Sequence, residues 1–382
     1  MPTILTINAG SSSVRLSLVA SEGNRVETLD FHHEGERPED RAATIARFLE
    51  KHASQRPAAV AHRLVHGGSR FVKPVLLDDS VARALAELAP LAPLHVPEAL
   101  AWTRAARDVF GPTVPQVCVF DTAYFADLPK VASTYAIPAG LAARHGIRRF
   151  GFHGLAHKSL WRRWSRLRPD LEGGGRLVSL QLGSGCSAAA ILRGAPLDTS
   201  MGFTPIEGLV MSTRSGDVDP GVVLALQRLE GLDAEKLEQL LDRESGLRGI
   251  SGSTGDMQEL LGRPDDPSAR LAIQVFCYRI RKYVGAYLAV LGGIDGIVFG
   301  GGVGENSPDV RSACLSNLDS VGIRLDEDAN RAAVGREGRI ASREEGVDVR
   351  VLIADEAGEI AREAATLLGR PLEREPMEGG HG

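Results

Sequence analysis

The sequence predicts an α/β protein of two domains whose halves are related. Three observations carry that expectation. At 382 residues the chain exceeds the size at which one hydrophobic core usually stops growing. Strand and helix signals alternate along its whole length. The opening segment ILTINAGSSSVRLSL is also echoed by LVSLQLGSGCSAAAIL at 177–192, each an apolar strand, a Gly-Ser turn and a second strand. Either hairpin alone reads as a common turn; the pair suggests two equivalent halves facing one another.

Composition narrows the function. With 43% hydrophobic and 24% charged residues the chain reads as globular. A net charge of -5 argues against a nucleic-acid surface, which needs a basic face. An anionic small molecule would have to be met by a few placed arginines. The first residues, MPTILTINAG, lack the features of a secretory signal, so the expected address is the cytoplasm. No uncharged run approaches the ~20 apolar residues of a membrane span. Cys118, Cys186, Cys277 and Cys314 are widely spaced with no CxxC, and are read as free buried thiols.

Taken in order, the first hairpin closes on Ala-Gly-Ser-Ser-Ser, where backbone N–H groups and hydroxyls can line a concavity for phosphate oxygens; a plain β-turn is the equal alternative. Arg15 lies on that hairpin. In AHRLVHGGSRF, Arg63 projects from a strand end near Gly67-Gly68, placed to clamp a carboxylate or phosphate or simply to meet solvent. LAPLAPLHVPEA holds three prolines around His95 and is expected to be stiff rather than helical. VCVFDTAYF is a buried strand ending in Asp121, a general base, a metal ligand or a turn cap. In RRFGFHGLAHKSL, His153 and His157 stand at i and i+4, where they could share a helix face; without an H-E-x-x-H glutamate or a third ligand, zinc is not assigned. DTSMGFTPIEGLVMSTRSGDVDPG mixes turn residues with Met201, Phe203 and Met211 around Arg214, as an ordered active-site loop would. Asp266-Pro267 opens a long helix that stops at Gly292-Gly293, a strand GIVF follows, Gly300–Gly302 turns the chain, and Ser307-Pro308-Asp309 starts another helix. The glycine turn lets backbone approach a nucleotide, yet neither a Rossmann nor a P-loop pattern is complete. The polar tail 373–382 is expected to fray.

In this order the segments NAGSSS, HRLVHGG, LAPLH, FDTA, FGFHG, DTSMGFTPIEG, TRSGDVDP, SGLRGISG and GVGEN resemble the acetate kinase family, over residues 3 to about 365. The resemblance implies a duplicated ribonuclease-H-like, actin-like ATPase fold with the active site in the interdomain cleft. It implies an N-terminal domain over 1–123 plus 359–382 and a nucleotide-binding and dimerisation domain over 124–358. The implied reaction is magnesium-dependent phosphoryl transfer between ATP and acetate, giving acetyl phosphate and ADP, in a homodimer; Mn²⁺ could replace Mg²⁺. Residue by residue, Asn8 and Glu356 match the magnesium-associated positions, and Arg63 and Arg214 the arginines holding acetate and the transferring phosphoryl. Asp121 matches the essential carboxylate, His153 the histidine at the phosphoryl, and His95 a supporting one. Val65, Leu94, Phe152 and Pro205 match the methyl pocket. The nucleotide side is assigned to Ser11, Ser13, Arg15, Gln181, Leu182, Gly183, Ser184, Gly185, Asp256, Met257, Gln258, Gly302, Val303, Gly304, Glu305 and Asn306.

Departures from the family cluster at the phosphates. Arg15 stands for a lysine, QLGSGCS for a pattern close to HLGNGSS, Met257-Gln258 for Phe-Arg, IADEAG at 353–358 for P-T-N-E-E-L, and Val96 and Phe125 for an asparagine and a histidine. Propionate or butyrate kinase, a pyrophosphate-linked enzyme and a catalytically silent nucleotide-binding scaffold are the competing expectations.

Overall fold

The computed structural model describes residues 3–10, 13–20, 25–32, 41–52, 56–92, 95–342 and 346–369. Ser11, Leu94 and the tail 373–382 lie outside the described residues. The chain divides into two units, Met1–Ala126 with Asp355–Gly382, and Asp127–Ala354. These limits differ by a few residues from the expected ones for local reasons. Asp121–Phe125 is a 3-10 turn running straight on from the preceding strand, and Asp355 caps the helix after it, accepting from Gly358 N at 3.0 Å.

In the first unit, β1 (Thr3–Ala9) and β2 (Ser13–Ala20) form the opening hairpin and β3 (Arg25–His32) extends it antiparallel. After helix α1 (Arg41–His52), β4 (Ala59–Leu64) joins β1 in parallel. The edge strand β5 (Val75–Leu76) and helix α2 (Val96–Phe110) precede β6 (Gln116–Phe120), which is parallel to β4. The sheet order is β3-β2-β1-β4-β6-β5. Alternating apolar residues of the strands, among them Leu5, Ile7, Leu16 and Leu18, pack with Phe48, Trp102 and Phe110 from α1 and α2 into one core.

The second unit repeats the plan. Helix α3 (Gly154–Leu167) leads to the hairpin β7 (Arg176–Leu182) and β8 (Cys186–Leu192), and β9 (Ala195–Thr199) follows antiparallel. A long insertion carries α4 (Pro220–Glu230) and α5 (Pro267–Leu291). Then β10 (Gly296–Gly300) pairs in parallel with β7, α6 (Gly301–Asn306) turns the chain, β11 (Gly338–Arg339) lies at the edge, and β12 (Asp348–Val351) completes the order β11-β12-β10-β7-β8-β9. Stripped of its numbers, this is the strand order of the first sheet, so the hairpin echo marks a duplication. Helix α7 (Glu356–Leu367) returns to pack on β1, β2, β4 and β6 of the first unit.

Local signals explain most boundaries. α5 starts where Asp266 accepts from Ser268 N and stops at Gly292, whose φ of 65° suits glycine. Two expectations need correction. Residues 96–100 are helical despite the surrounding prolines, because Pro97 sits in the first turn, where its missing N–H costs nothing. His153 stands just before α3 with a φ of 56° rather than within the helix, although it and His157 turn to the same side and meet the same Ser187 hydroxyl. The four cysteines are free and buried, and no described helix is long and apolar enough to cross a membrane.

Three buried histidines give the fold a pH signature. Burial pushes His62 and His66 down to about 4 and, with the neighbouring His153, pushes His157 down to about 3. The unfolded chain takes these protons near the ordinary 6.5 while the fold refuses them. Their contribution is therefore intact above that value and is lost as pH falls toward 4, by ~1.4 kcal/mol per pH unit for each. Denaturant titrations between pH 6 and about 4.5 should show that slope, and His62→Gln should remove roughly one such increment from it.

Candidate active site

In the first unit, polar side chains gather at the carboxyl ends of three adjacent strands. Asn8 and Arg63 are register partners on β1 and β4, and Asp121 directly follows β6. Parallel strands end together here, which is where open α/β sheets place ligands. Arg63 donates from Nε to both Asp121 oxygens (3.2 and 3.1 Å), from Nη2 to Oδ2 (2.6 Å) and from Nη1 to Asn8 Oδ1 (2.8 Å). Asn8 Nδ2 in turn donates to Glu356 Oε2 at 2.6 Å. One network thus runs from Asp121 through Arg63 and Asn8 to the start of α7. Burial opposes the Arg63 charge, but the charges of Asp121 and Glu356 and the Asp121 hydrogen bonds outweigh it and hold the guanidinium pKa above its ordinary value. Asp121, 1% exposed, meets Arg63 with both oxygens.

His95 stands at the position just before α2, and Val65 is buried directly after β4. Arg15 is exposed on β2 opposite Asn8, and Ser13 opens the same strand.

The second unit carries a different cluster. The β7–β8 turn, Gly183–Gly185, faces His153 and Arg214: a side chain on Gly185 would place its Cβ 3.1 Å from His153 Cε1, 3.2 Å from Nε2 and 3.6 Å from Arg214 Nη1. Any side chain there would crowd the imidazole by a few tenths of an ångström. Arg214 is held from behind by Asp242, with Nε donating to Oδ1 at 2.8 Å. His153 Nδ1 lies 2.9 Å from Ser187 Oγ.

Beside this turn a cavity of about 280 Å³ is lined by Gly183, Ser184, Ser212, Thr213, Gly255, Asp256, Met257 and Val303, together with Leu247, Arg248, Ser253 and Thr254. Five residues assigned to the nucleotide from the sequence line it: Gly183, Ser184, Asp256, Met257 and Val303. Others have different positions. Leu182 is fully buried in the sheet, and Gly304 packs on Phe299 and Leu182. Glu305 accepts from Gly301 N, and Asn306 donates to the Gly302 carbonyl, so both tie α6 to itself. Gln181 Oε1 is buried without a hydrogen-bond partner among the described residues, and Gln258 is absent from the cavity wall. Arg248 was missed because SGLRGISG reads as a turn-rich helix with nothing to set its arginine apart.

The loop between β9 and α4 is ordered by Arg149, which donates to the carbonyls of Thr199, Ser200 and Met201 (3.2 Å each) and to Glu207 Oε1 (2.6 Å). Tyr135 donates to Glu207 and accepts from Phe203 N. This loop bears Pro205, half-buried, while Phe152 is buried next to His153. Among the described residues no three His, Cys, Asp or Glu side chains gather into a metal cage.

Two sheets with the same strand order, polar groups at the ends of their central strands and glycine hairpins opening each, define the class as a duplicated ribonuclease-H-like fold of the actin-like ATPases and kinases. The chain belongs to the acetokinase family, whose model matches residues 32–362. It is 46% identical to the acetate kinase of Chloroherpeton thalassium over 80% of this chain and 74% of that one. Among solved structures it is similar to Porphyromonas gingivalis acetate kinase (36% identity, 96% and 100% of the two chains, TM-score 0.87) and to a propionate kinase from Francisella tularensis (32%, 95% and 99%, TM-score 0.87).

Removing one partner of a buried ion pair strands the other, at a cost of about 3–5 kcal/mol. Asp121→Ala should therefore lower the unfolding free energy by that order in denaturant melts. Asp121→Ala combined with Arg63→Met should recover part of the loss.

Proposed function

We propose that the protein is an acetate kinase that transfers a phosphoryl group reversibly between ATP and acetate. The observation that carries this reading is the pair of anchored arginines, Arg63 against Asp121 and Arg214 against Asp242, each on an element the family uses for its oxyanions. A carboxylate oxygen of acetate attacks the terminal phosphorus; the new O–P bond forms as the bond to the β-phosphate oxygen breaks, and ADP leaves. Acetate needs no deprotonation at neutral pH, so no general base is required. The work left to the protein is alignment and stabilisation of charge on the transferring oxygens. Arg63 offers the guanidinium N–H groups that Asp121 and Asn8 leave unused, Arg214 offers Nη1 at the Gly185 turn, and His153 adds a donor beside it.

Glu356 and Asn8 are the residues that would hold magnesium. Glu356 would supply a hard carboxylate oxygen and Asn8 its Oδ1, which here accepts from Arg63, and this ion binds through one or two carboxylates while keeping waters and phosphate oxygens for its other positions. When bound, the ion neutralises charge on the phosphates. The 280 Å³ cavity beside Ser184 and Asp256 is the proposed seat of the nucleoside, which supports ATP over pyrophosphate as donor.

Val65 supports a short acyl chain. The similarity to a propionate kinase leaves propionate as the second substrate, poorer by the ~1–3 kcal/mol that one methylene is worth. We further propose a homodimer in the cytoplasm. Its support in the fold is α4, an apolar helix without a buried residue, on which Leu224 and Leu229 are 53% and 79% exposed.

Trapping of acetyl phosphate as its hydroxamate, with acetate, magnesium and ATP, tests the reaction; product formed only with pyrophosphate would overturn the choice of donor. Arg214→Ala should lose about 10²-fold or more in turnover. A kcat/KM for propionate above that for acetate would overturn the substrate. In light scattering the wild type should have twice the chain mass, and Leu224→Glu with Leu229→Glu should bring it to one.

A further inference from the structure

Behind His153 lies a chain of three polar side chains that the proposed reaction does not itself require. His153 Nδ1 is 2.9 Å from Ser187 Oγ, the same hydroxyl is 2.8 Å from His157 Nε2, and His157 Nδ1 is 2.8 Å from Ser179 Oγ. Ser179, Ser187 and His157 are fully buried. Neither serine hydroxyl has any other hydrogen-bond partner among the described residues, so each must satisfy its donor within the chain. The backbone braces the arrangement, since His157 N donates to the His153 carbonyl at 2.9 Å.

Only one direction of donation satisfies every buried donor. Burial keeps His157 neutral, with its pKa pushed down to about 3, so one of its nitrogens carries a proton and the other does not. If Ser179 donates to His157 Nδ1, then His157 Nε2–H donates to Ser187, Ser187 donates to His153 Nδ1, and the remaining proton sits on His153 Nε2. In the reverse direction His157 Nδ1–H donates to Ser179, whose own hydroxyl proton is then buried without an acceptor. That arrangement carries the penalty of an unmade buried hydrogen bond.

We infer that Ser179, His157 and Ser187 are positioning residues that fix His153 as the tautomer protonated on Nε2, presenting a neutral imidazole as a hydrogen-bond donor to the transferring phosphoryl. The Nε2 edge is the one that faces Gly185 and shares that spot with Arg214 Nη1. The tautomer stands on the geometry alone; its catalytic use rests on the role given to His153 above.

The test uses the full chain labelled with ¹⁵N-histidine. Long-range ¹H–¹⁵N correlation, with His153 assigned by its loss in His153→Gln, should show Nε2 protonated and Nδ1 bare. In Ser187→Ala the two tautomers should mix, and kcat should fall about tenfold or more with the KM for acetate little changed. Ser187→Thr, which keeps the hydroxyl, should restore both readouts. Should Ser187→Ala fail to fold, His157→Gln serves instead, because its amide N–H can replace the donation to Ser187 and should keep the wild-type tautomer. A wild-type His153 protonated on Nδ1, or a tautomer unmoved in Ser187→Ala, overturns the inference. A tautomer that shifts while kcat stays constant upholds the chain and overturns the catalytic role of His153.

Discussion

Everything in the first half-site depends on the ion pair between Arg63 and Asp121. A buried guanidinium must have its charge and donors met, here by the Asp121 carboxylate, and the pairing also aligns the ends of β4 and β6. Through Asn8 the same arginine reaches β1 and the first residue of α7. One guanidinium thereby serves as the tie between four elements. The converse holds as well, since each strand end fixes one edge of the guanidinium and leaves it a single orientation.

Arginines organise the second unit in a different manner, by gathering carbonyl oxygens where no sheet is available. Arg149 holds three consecutive carbonyls of the 199–207 loop. Arg311 is fully buried and binds the Gly304, Asn330 and Ala333 carbonyls together with Asn330 Oδ1, so it anchors the end of α6 through neutral oxygens. Burial lowers its pKa to about 10, and the chain's preference for arginine over lysine is understandable here. A planar fork with several donors can satisfy diverging carbonyls, whereas an ammonium group would leave some unmet.

Much of this was legible in the sequence because the informative features are local. The paired hairpins, the α5 caps and the strand ending in Asp121 rest on periodicity, capping residues and turn chemistry within a few positions. The start of α2 at Val96 was misread because a proline count ignores position within the first turn. The site was legible in part. Arg63 and Asp121 stood out in their own segments and Asn8 and Glu356 came from the resemblance, yet the network that joins them depends on strand register, which no short motif reveals. Leu182 and Gly304 stand within matching motifs but serve the core, and Arg248 lines the cavity from a segment with no distinctive pattern. Ser179 was hidden for the same reason, and His157, though singled out beside His153, gave no sign of its partners, because a buried hydrogen-bond chain across β7, β8 and α3 leaves no periodic trace.

The return of α7 to the first sheet has a consequence for biosynthesis. Asn8 and Glu356 are 348 positions apart, and the whole second unit is translated between them. While the ribosome works through that interval, the first sheet lacks the helix that covers β1, β2, β4 and β6, whereas the continuous second unit can fold as soon as it emerges. Vectorial synthesis therefore places the inserted unit ahead of the one that began the chain, and leaves the oldest strands longest in need of protection from aggregation.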